Sequence, residues 1–148
     1  MTISTDSNHA RFSILSSFEN VANLAEEVSV YCGSIQGTSS ESVDLLRLCV
    51  AEALNNVVEH AYSGQDGKPI FAEVSISNDK YQVLIIDEGR PMPKDGPPDA
   101  NLDFDLDDIE NLPEGGFGWM LIREQMDTVD YERREGHNVL RLEKRRDH

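Results

Sequence analysis

Between Leu45 and Tyr62 the chain reads LLRLCVAEALNNVVEHAY, and its apolar residues return every three or four places. Leu46, Cys49, Val50, Ala53, Val57 and Ala61 share one side of a helix, which commits this stretch to burial against a second layer. Glu52, Asn56 and His60 stand four residues apart. Four residues turn a helix through about 400°, so the three polar groups form a line along its axis, with Asn55 and Glu59 beside it. A polar line of this kind is ordinarily a solvated face, and only the rest of the chain can give it another meaning.

On the N-terminal side, residues 1–10 are polar and read as a disordered tail. Arg11 to Leu15 can form a short strand. Ser16 or Ser17 can cap a first helix, in which Phe18, Val21, Leu24, Ala25, Val28 and Tyr31 recur at helical spacing up to Gly33. Ser39 or Ser40 can cap the central helix, which the pattern carries to about Ala61. After the breaker cluster from Ser63 to Pro69 the period falls to two: Ile70, Ala72, Val74 and Ile76 alternate, then Tyr81, Val83 and Ile85. Leu84 and Ile86 make the second of these strands apolar on both faces, as in a central strand, and it stops at Asp87-Glu88-Gly89. From Asp95 to Glu114 the chain has eight acids and no base, with prolines and no period. A loop this long in a compact domain is characteristically a functional lid or disordered. Gly115-Gly116-Phe117-Gly118 leads into a third helix from Trp119 to Met126. Val129 and Tyr131 begin a strand, Glu135-Gly136 turns it, and Asn138, Leu140 and Leu142 alternate in the last. Helices grouped apart from hairpin-linked strands imply an α+β fold: a two-layer sandwich with a mixed, mostly antiparallel sheet and helices on one face.

With 148 residues the chain fits one domain, residues 11–148. Its net charge of −15 excludes a nucleic-acid partner, which needs basic patches, and disfavours an anionic membrane. No apolar run approaches the roughly 18 residues of a span, and the N-terminus lacks a basic-then-apolar leader, so the expected compartment is the cytosol. Cys32 and Cys49 lack metal-type spacing and read as packed thiols, and the four histidines are scattered.

Three groups stand out: the Glu52-Asn56-His60 line, Asp87-Glu88-Gly89 at the end of a buried strand, and the glycines before the third helix. A buried strand-end acid is costly without a partner. Glycines at a helix start allow backbone N–H groups to approach an anion, or simply make a hinge. Taken in order, AEALNNVVEHAY, IIDEGRPMP and GGFGWMLIREQMDTVDY resemble the N box and the two glycine boxes of the GHKL ATPase superfamily. Within it the chain resembles the anti-sigma-factor serine/threonine kinases of the RsbW type, from about Phe12 to Lys144.

That resemblance implies the GHKL (Bergerat) ATP-binding fold, ATP and Mg²⁺ as ligands, and a lid at 92–114. It implies that Asn56 holds Mg²⁺, that Glu52 is the general base on an acceptor hydroxyl, and that Asp87 accepts from the adenine 6-amino group. Gly89 lets the base lie close. Gly116, Phe117 and Gly118 form the phosphate turn, and Asn138 stands near the adenine where many relatives have Thr. Where some relatives have a base near Glu114, this chain is acidic. Arg90 or a partner is the candidate replacement, and His60 reads as a helix-surface group. The implied partners are a small anti-sigma antagonist as substrate, a sigma factor, and a second copy of the chain. The residues leave one other class open: a nucleotide-dependent module that sequesters a sigma factor or another regulator with little or no kinase activity.

Overall fold

The computed structural model describes residues 2–6, 8–93, 96–97 and 116–146. The elements follow in the order β1 (Thr2–Asp6), β2 (His9–Leu15), α1 (Phe18–Gly33), α2 (Ser40–Asn56), β3 (Pro69–Ile76), β4 (Lys80–Asp87), α3 (Gly116–Gln125), β5 (Thr128–Arg134) and β6 (His137–Arg145). The strands form one sheet in the order β1-β2-β3-β4-β6-β5. Every described pairing is antiparallel, so no parallel pair joins the expected mixed sheet.

Period-two patterning decides which face is buried. Ala10 and Phe12 of β2, Ile70, Ala72, Val74 and Ile76 of β3, Tyr81, Val83 and Ile85 of β4, and Leu140 and Leu142 of β6 are all buried. The register places them side by side: Phe12 opposite Ala72, Ala72 opposite Ile85, Ile85 opposite Leu140. One face is therefore continuous and apolar, and the helices cover it with Leu24 and Val28 of α1, Leu46, Val50 and Leu54 of α2, and Ile122 of α3. The other face carries the ion pairs Arg11–Glu73 and Lys80–Glu143. This is the α+β, helices-on-one-face architecture that the patterning predicts.

Local chemistry sets the ends. Ser17 caps α1 by accepting from the Asn20 N–H at 3.0 Å, and Ser39 caps α2 by accepting from Ser42 at 3.1 Å. Ser16 does other work: its hydroxyl donates to Gln65 O at 2.7 Å and accepts from the Lys68 N–H at 2.9 Å, tying the start of α1 to the loop before β3. Glu135 and Gly136 both have positive φ, 52° and 81°, which is the backbone of a tight β5–β6 hairpin.

Two elements differ from the sequence reading. The N-terminal residues, expected to fray, form β1 along the outer edge of β2, from Thr2 opposite Ser13 to Asp6 opposite His9. Thr2, Ile3 and Thr5 are β-branched and suit a strand once an open edge is offered, a tertiary condition that a polar composition hides. The central helix is α-helical only to Asn56, and Val57–Ala61 form a π-helical turn closed by Tyr62 N–H on Val57 O at 2.9 Å. The proposed lid at 92–114 lies mostly outside the described residues, as does Glu114.

Candidate functional site

The register that builds the core also builds a polar floor at its edge. Arg133 of β5 pairs with Asn138 of β6, Asn138 pairs with Asp87 of β4, and Asp87 pairs with Ile70 of β3. Alternation points Asp87 and Asn138 to the helix side, where each is 3% exposed. Asp87 Oδ1 accepts from the Gly89 N–H and from Asn138 Nδ2, both at 2.8 Å. Burial pushes the Asp87 carboxyl above its ordinary value; the bonds from Asn138 and Gly89 and the nearby Arg133 charge pull the other way. Asp87 Oδ2 accepts no hydrogen bond among the described residues.

Above this floor is a cavity of about 560 Å³. Asn56, His60, Asp87, Met92, Trp119 and Asn138 are among its lining residues, and Asp87 is the only carboxylate there among the described residues. Trp119, read from sequence only as part of an apolar helix, contributes an aromatic wall.

The π-helical turn forms the opposite wall. Ala61 O accepts from the Arg90 N–H, and His60 O accepts from Arg90 Nη2, each at 2.9 Å. The turn therefore joins the end of α2 to the strand exit at Gly89, as such turns often do at functional sites. Gly89 is needed there for space: a Cβ would fall 2.4 Å from Ala61 O. Tyr62 holds the same exit, accepting from the Glu88 N–H at 2.7 Å and donating to Pro69 O at 2.5 Å.

Asn56 is 8% exposed and lines the cavity. Its Nδ2 donates to Glu52 O at 2.9 Å. A carbonyl can only accept, so this bond fixes the amide orientation and leaves Oδ1 as the atom Asn56 can offer to a ligand. A neutral amide oxygen suits a hard cation such as Mg²⁺, which takes one or two protein ligands together with phosphate oxygens and waters.

Glu52 does not line the cavity. Its carboxylate lies against the first turn of α3, where a Cβ on Gly118 would be 2.5 Å from Oε2. The structure thus sets Glu52, one turn before Asn56 on α2, against the start of α3, joins Asp87, Gly89 and Asn138 by hydrogen bonds, and places Asn56, Asp87 and Asn138 in the lining of one cavity. Gly116 is the first residue of α3, while the Phe117 side chain lies outside the description. His60 is exposed beside Glu59, Nε2 to Oε2 at 3.8 Å, and it still lines the cavity mouth.

The sequence reading missed Tyr131 and Arg133. The Tyr131 hydroxyl donates to Asn138 Oδ1 and accepts from the Met92 N–H at 3.0 Å. Arg133 Nη1 donates to Gly89 O at 2.6 Å and to Asn138 Oδ1 at 3.1 Å. Their places in the hairpin register, two residues apart on the strand beside Asn138, were the available signal.

A largely apolar cavity with the buried Asp87 acceptor on its floor and Trp119 of the first turn of α3 in its wall suits a flat heterocycle. The chain belongs to the family of histidine kinase-like ATPase domains, which residues 14–144 match. It is 32% identical over 105 residues to the serine-protein kinase RsbW of Listeria monocytogenes serotype 4a (strain HCC23), covering 70% of this chain and 67% of that one. It is 28% identical over 109 residues to the RsbW of Bacillus pumilus (strain SAFR-032), covering 72% and 67%. Its fold is similar to the histidine kinase domain of the Erythrobacter litoralis EL346 blue-light activated histidine kinase, with a TM-score of 0.52 and 16% identity. That match covers 86% of this chain and 58% of the histidine kinase chain.

Proposed function

We propose that this chain binds Mg-ATP and transfers the γ-phosphoryl group to a serine or threonine of a small protein antagonist, as an anti-sigma-factor kinase in the cytosol. The observation that carries the reading is that one cavity is lined by both the buried Asp87 acceptor and Asn56. Glu52 stands one helical turn from Asn56, against Gly118 of α3. The family match and the relatives named serine-protein kinases support it.

In this reading Asp87 Oδ2 accepts from the adenine 6-amino group, and guanine, with a carbonyl there, is rejected. Gly89 lets the base reach the floor. The first turn of α3, with Gly116, Phe117 and Gly118, offers backbone N–H groups to the phosphates. Asn56 Oδ1 holds Mg²⁺, which when bound neutralises charge on the phosphate oxygens. Glu52 takes the proton of the acceptor hydroxyl as its oxygen bonds to the γ-phosphorus. The bond from that phosphorus to the bridging oxygen breaks, and its electron pair leaves with ADP.

The test is single-turnover transfer from labelled ATP to a candidate antagonist. Glu52→Ala should slow transfer by about 10²–10⁴-fold while ATP affinity stays within a few-fold of the parent. Asn56→Ala should weaken both. A parent that binds ATP and a sigma factor but transfers nothing would place the chain in the other class, a nucleotide-dependent sequestering module.

A further inference from the structure

We propose that Tyr131 is a positioning residue for base selectivity: through Asn138 it fixes the direction of the Asp87 carboxylate, and through Met92 it ties that floor to the segment that follows β4 and lines the cavity. The proposal rests on the nucleotide reading above and assigns the selectivity of that site to a lock, with Asn138 as its centre.

The argument begins with what an asparagine side chain can do. Its amide has two donor hydrogens and two acceptor lone pairs. In Asn138, Nδ2 donates to Asp87 Oδ1 and to Arg90 O, both at 2.8 Å. Oδ1 accepts from the Tyr131 hydroxyl and from Arg133 Nη1. Arg90 O can only accept and Arg133 Nη1 can only donate, so the amide orientation is forced. All four positions are taken by protein groups. Asn138 therefore has nothing left for a base, and its part in recognition is exerted through Asp87.

The consequence falls on Asp87. Both of its hydrogen bonds, from Gly89 N–H and from Asn138 Nδ2, converge on Oδ1. A planar carboxylate held on one oxygen has its other oxygen aimed. Oδ2 is the acceptor that this arrangement leaves for a ligand donor in the cavity. Tyr131 controls the lock because its hydroxyl is used in both directions, donating to Asn138 Oδ1 and accepting from Met92 N–H. Without it, Oδ1 of Asn138 retains Arg133 alone, and the amide gains freedom to turn and offer Nδ2 elsewhere. The ligand recognised is a purine with an amino group at position 6. A purine carbonyl in the same place would meet the fixed carboxylate oxygen.

The variant is Tyr131→Phe, which keeps the ring and removes only the hydroxyl. Calorimetric titration should show ATP binding weakened about three- to tenfold, the range for one hydrogen bond. The preference for ATP over GTP should fall with it, while kcat at saturating ATP stays at the parental value. A ring that merely packs would leave the ATP/GTP ratio untouched. Arg133→Gln, at an exposed position, is the second variant and should move the ratio in the same direction by less.

A readout without nucleotide is also available. In the free protein labelled with nitrogen-15, Tyr131→Phe should shift the Asn138 side-chain amide signals and speed exchange of the Met92 amide proton. Unchanged Asn138 signals would overturn the lock, whatever the chain binds. Unchanged base preference in both variants would overturn the selectivity role alone. A parent that binds ATP and GTP equally would instead defeat the adenine assignment to Asp87, and one that binds neither would defeat the nucleotide reading on which the role depends.

Discussion

Asp87 serves two opposed demands. Folding penalises it, because an ionised carboxylate 3% exposed has lost most of its water. Its folded pKa is raised above the ordinary carboxyl value of 3.8, chiefly by that burial. The folded state therefore holds the proton more tightly than the unfolded one. Asp87's contribution to stability is greatest below pH 3.8, falls as pH rises from there through the folded pKa, and is constant above it. Asp87→Asn removes this penalty. The new amide can still accept from Gly89 and Asn138 through its oxygen, but it then turns a donor toward the cavity. At neutral pH the variant should melt at or above the parental temperature, and its advantage should close as pH falls toward 4. Calorimetric titration should show ATP binding weaker by about 1.5–3 kcal/mol, the value of a hydrogen bond involving a charged group. Unchanged ATP affinity would detach Asp87 from ligand recognition. Asp87 and Asn56 were legible in the sequence because each sits at a pattern boundary, a strand end and a polar line on an apolar helix. Tyr131 and Arg133 were not, since they matter only through a register that brings β5 beside β6.

At the scale of elements, two glycines separate packing from chemistry. Gly89 does not have positive φ, so its requirement is space alone. Its Cβ would meet Ala61 O at 2.4 Å and Ala61 C at 2.6 Å, atoms of the π-helical turn that cannot swing aside. Gly89→Ala should destabilise the domain by about 1–3 kcal/mol, the cost of overpacking. Adding Ala61→Gly would remove the third clash, with Ala61 Cβ at 2.7 Å, but should not rescue the fold, because the two nearer clashing atoms are backbone. A chemical-denaturation series measures both. Gly118 is the contrast: its Cβ would meet Glu52 Oε2, the far end of a flexible chain. Gly118→Ala should fold at least as well as the parent, helped by helix propensity, but displace the Glu52 carboxylate and slow transfer. Parental transfer in this variant would mean that the seat of Glu52 at α3 is dispensable. The caps, the hairpin turn and eight of the nine helices and strands were readable from period and punctuation, because those signals are local. The π-helical turn was not, since the Arg90 bonds that join its Ala61 O and His60 O to the strand exit come from another part of the chain. β1 was hidden for a like reason, needing the open edge of β2.

For the molecule as a whole, 28 acids against 13 bases set a field that the local site has to work within. Like charges repel over about 8–10 Å at physiological salt and much further at low salt. The fold itself keeps these charges off the apolar face, so the field acts on stability and on approaching anions more than on packing. Two kinds of interaction should then respond differently to salt. The protein's self-repulsion and its repulsion of Mg-ATP are long-ranged and screened, so raising KCl from about 0.02 to 0.15 M, which shortens the Debye length roughly threefold, should raise the melting temperature. Over the same range ATP affinity should hold or rise, the opposite of the steep salt-induced loss seen when a basic surface binds a polyanion. In the proposed reading the base is discriminated at Asp87, which is 3% exposed and out of reach of mobile ions, so the ratio of ATP to GTP affinity should stay constant across the series. Titrations of both nucleotides at several KCl concentrations, with Mg²⁺ in fixed excess, measure this. A steep fall in ATP affinity with salt would reveal a local positive field at the phosphate end that outweighs the net charge. A selectivity ratio that drifts with salt would place base discrimination in long-range electrostatics and take it away from the buried carboxylate.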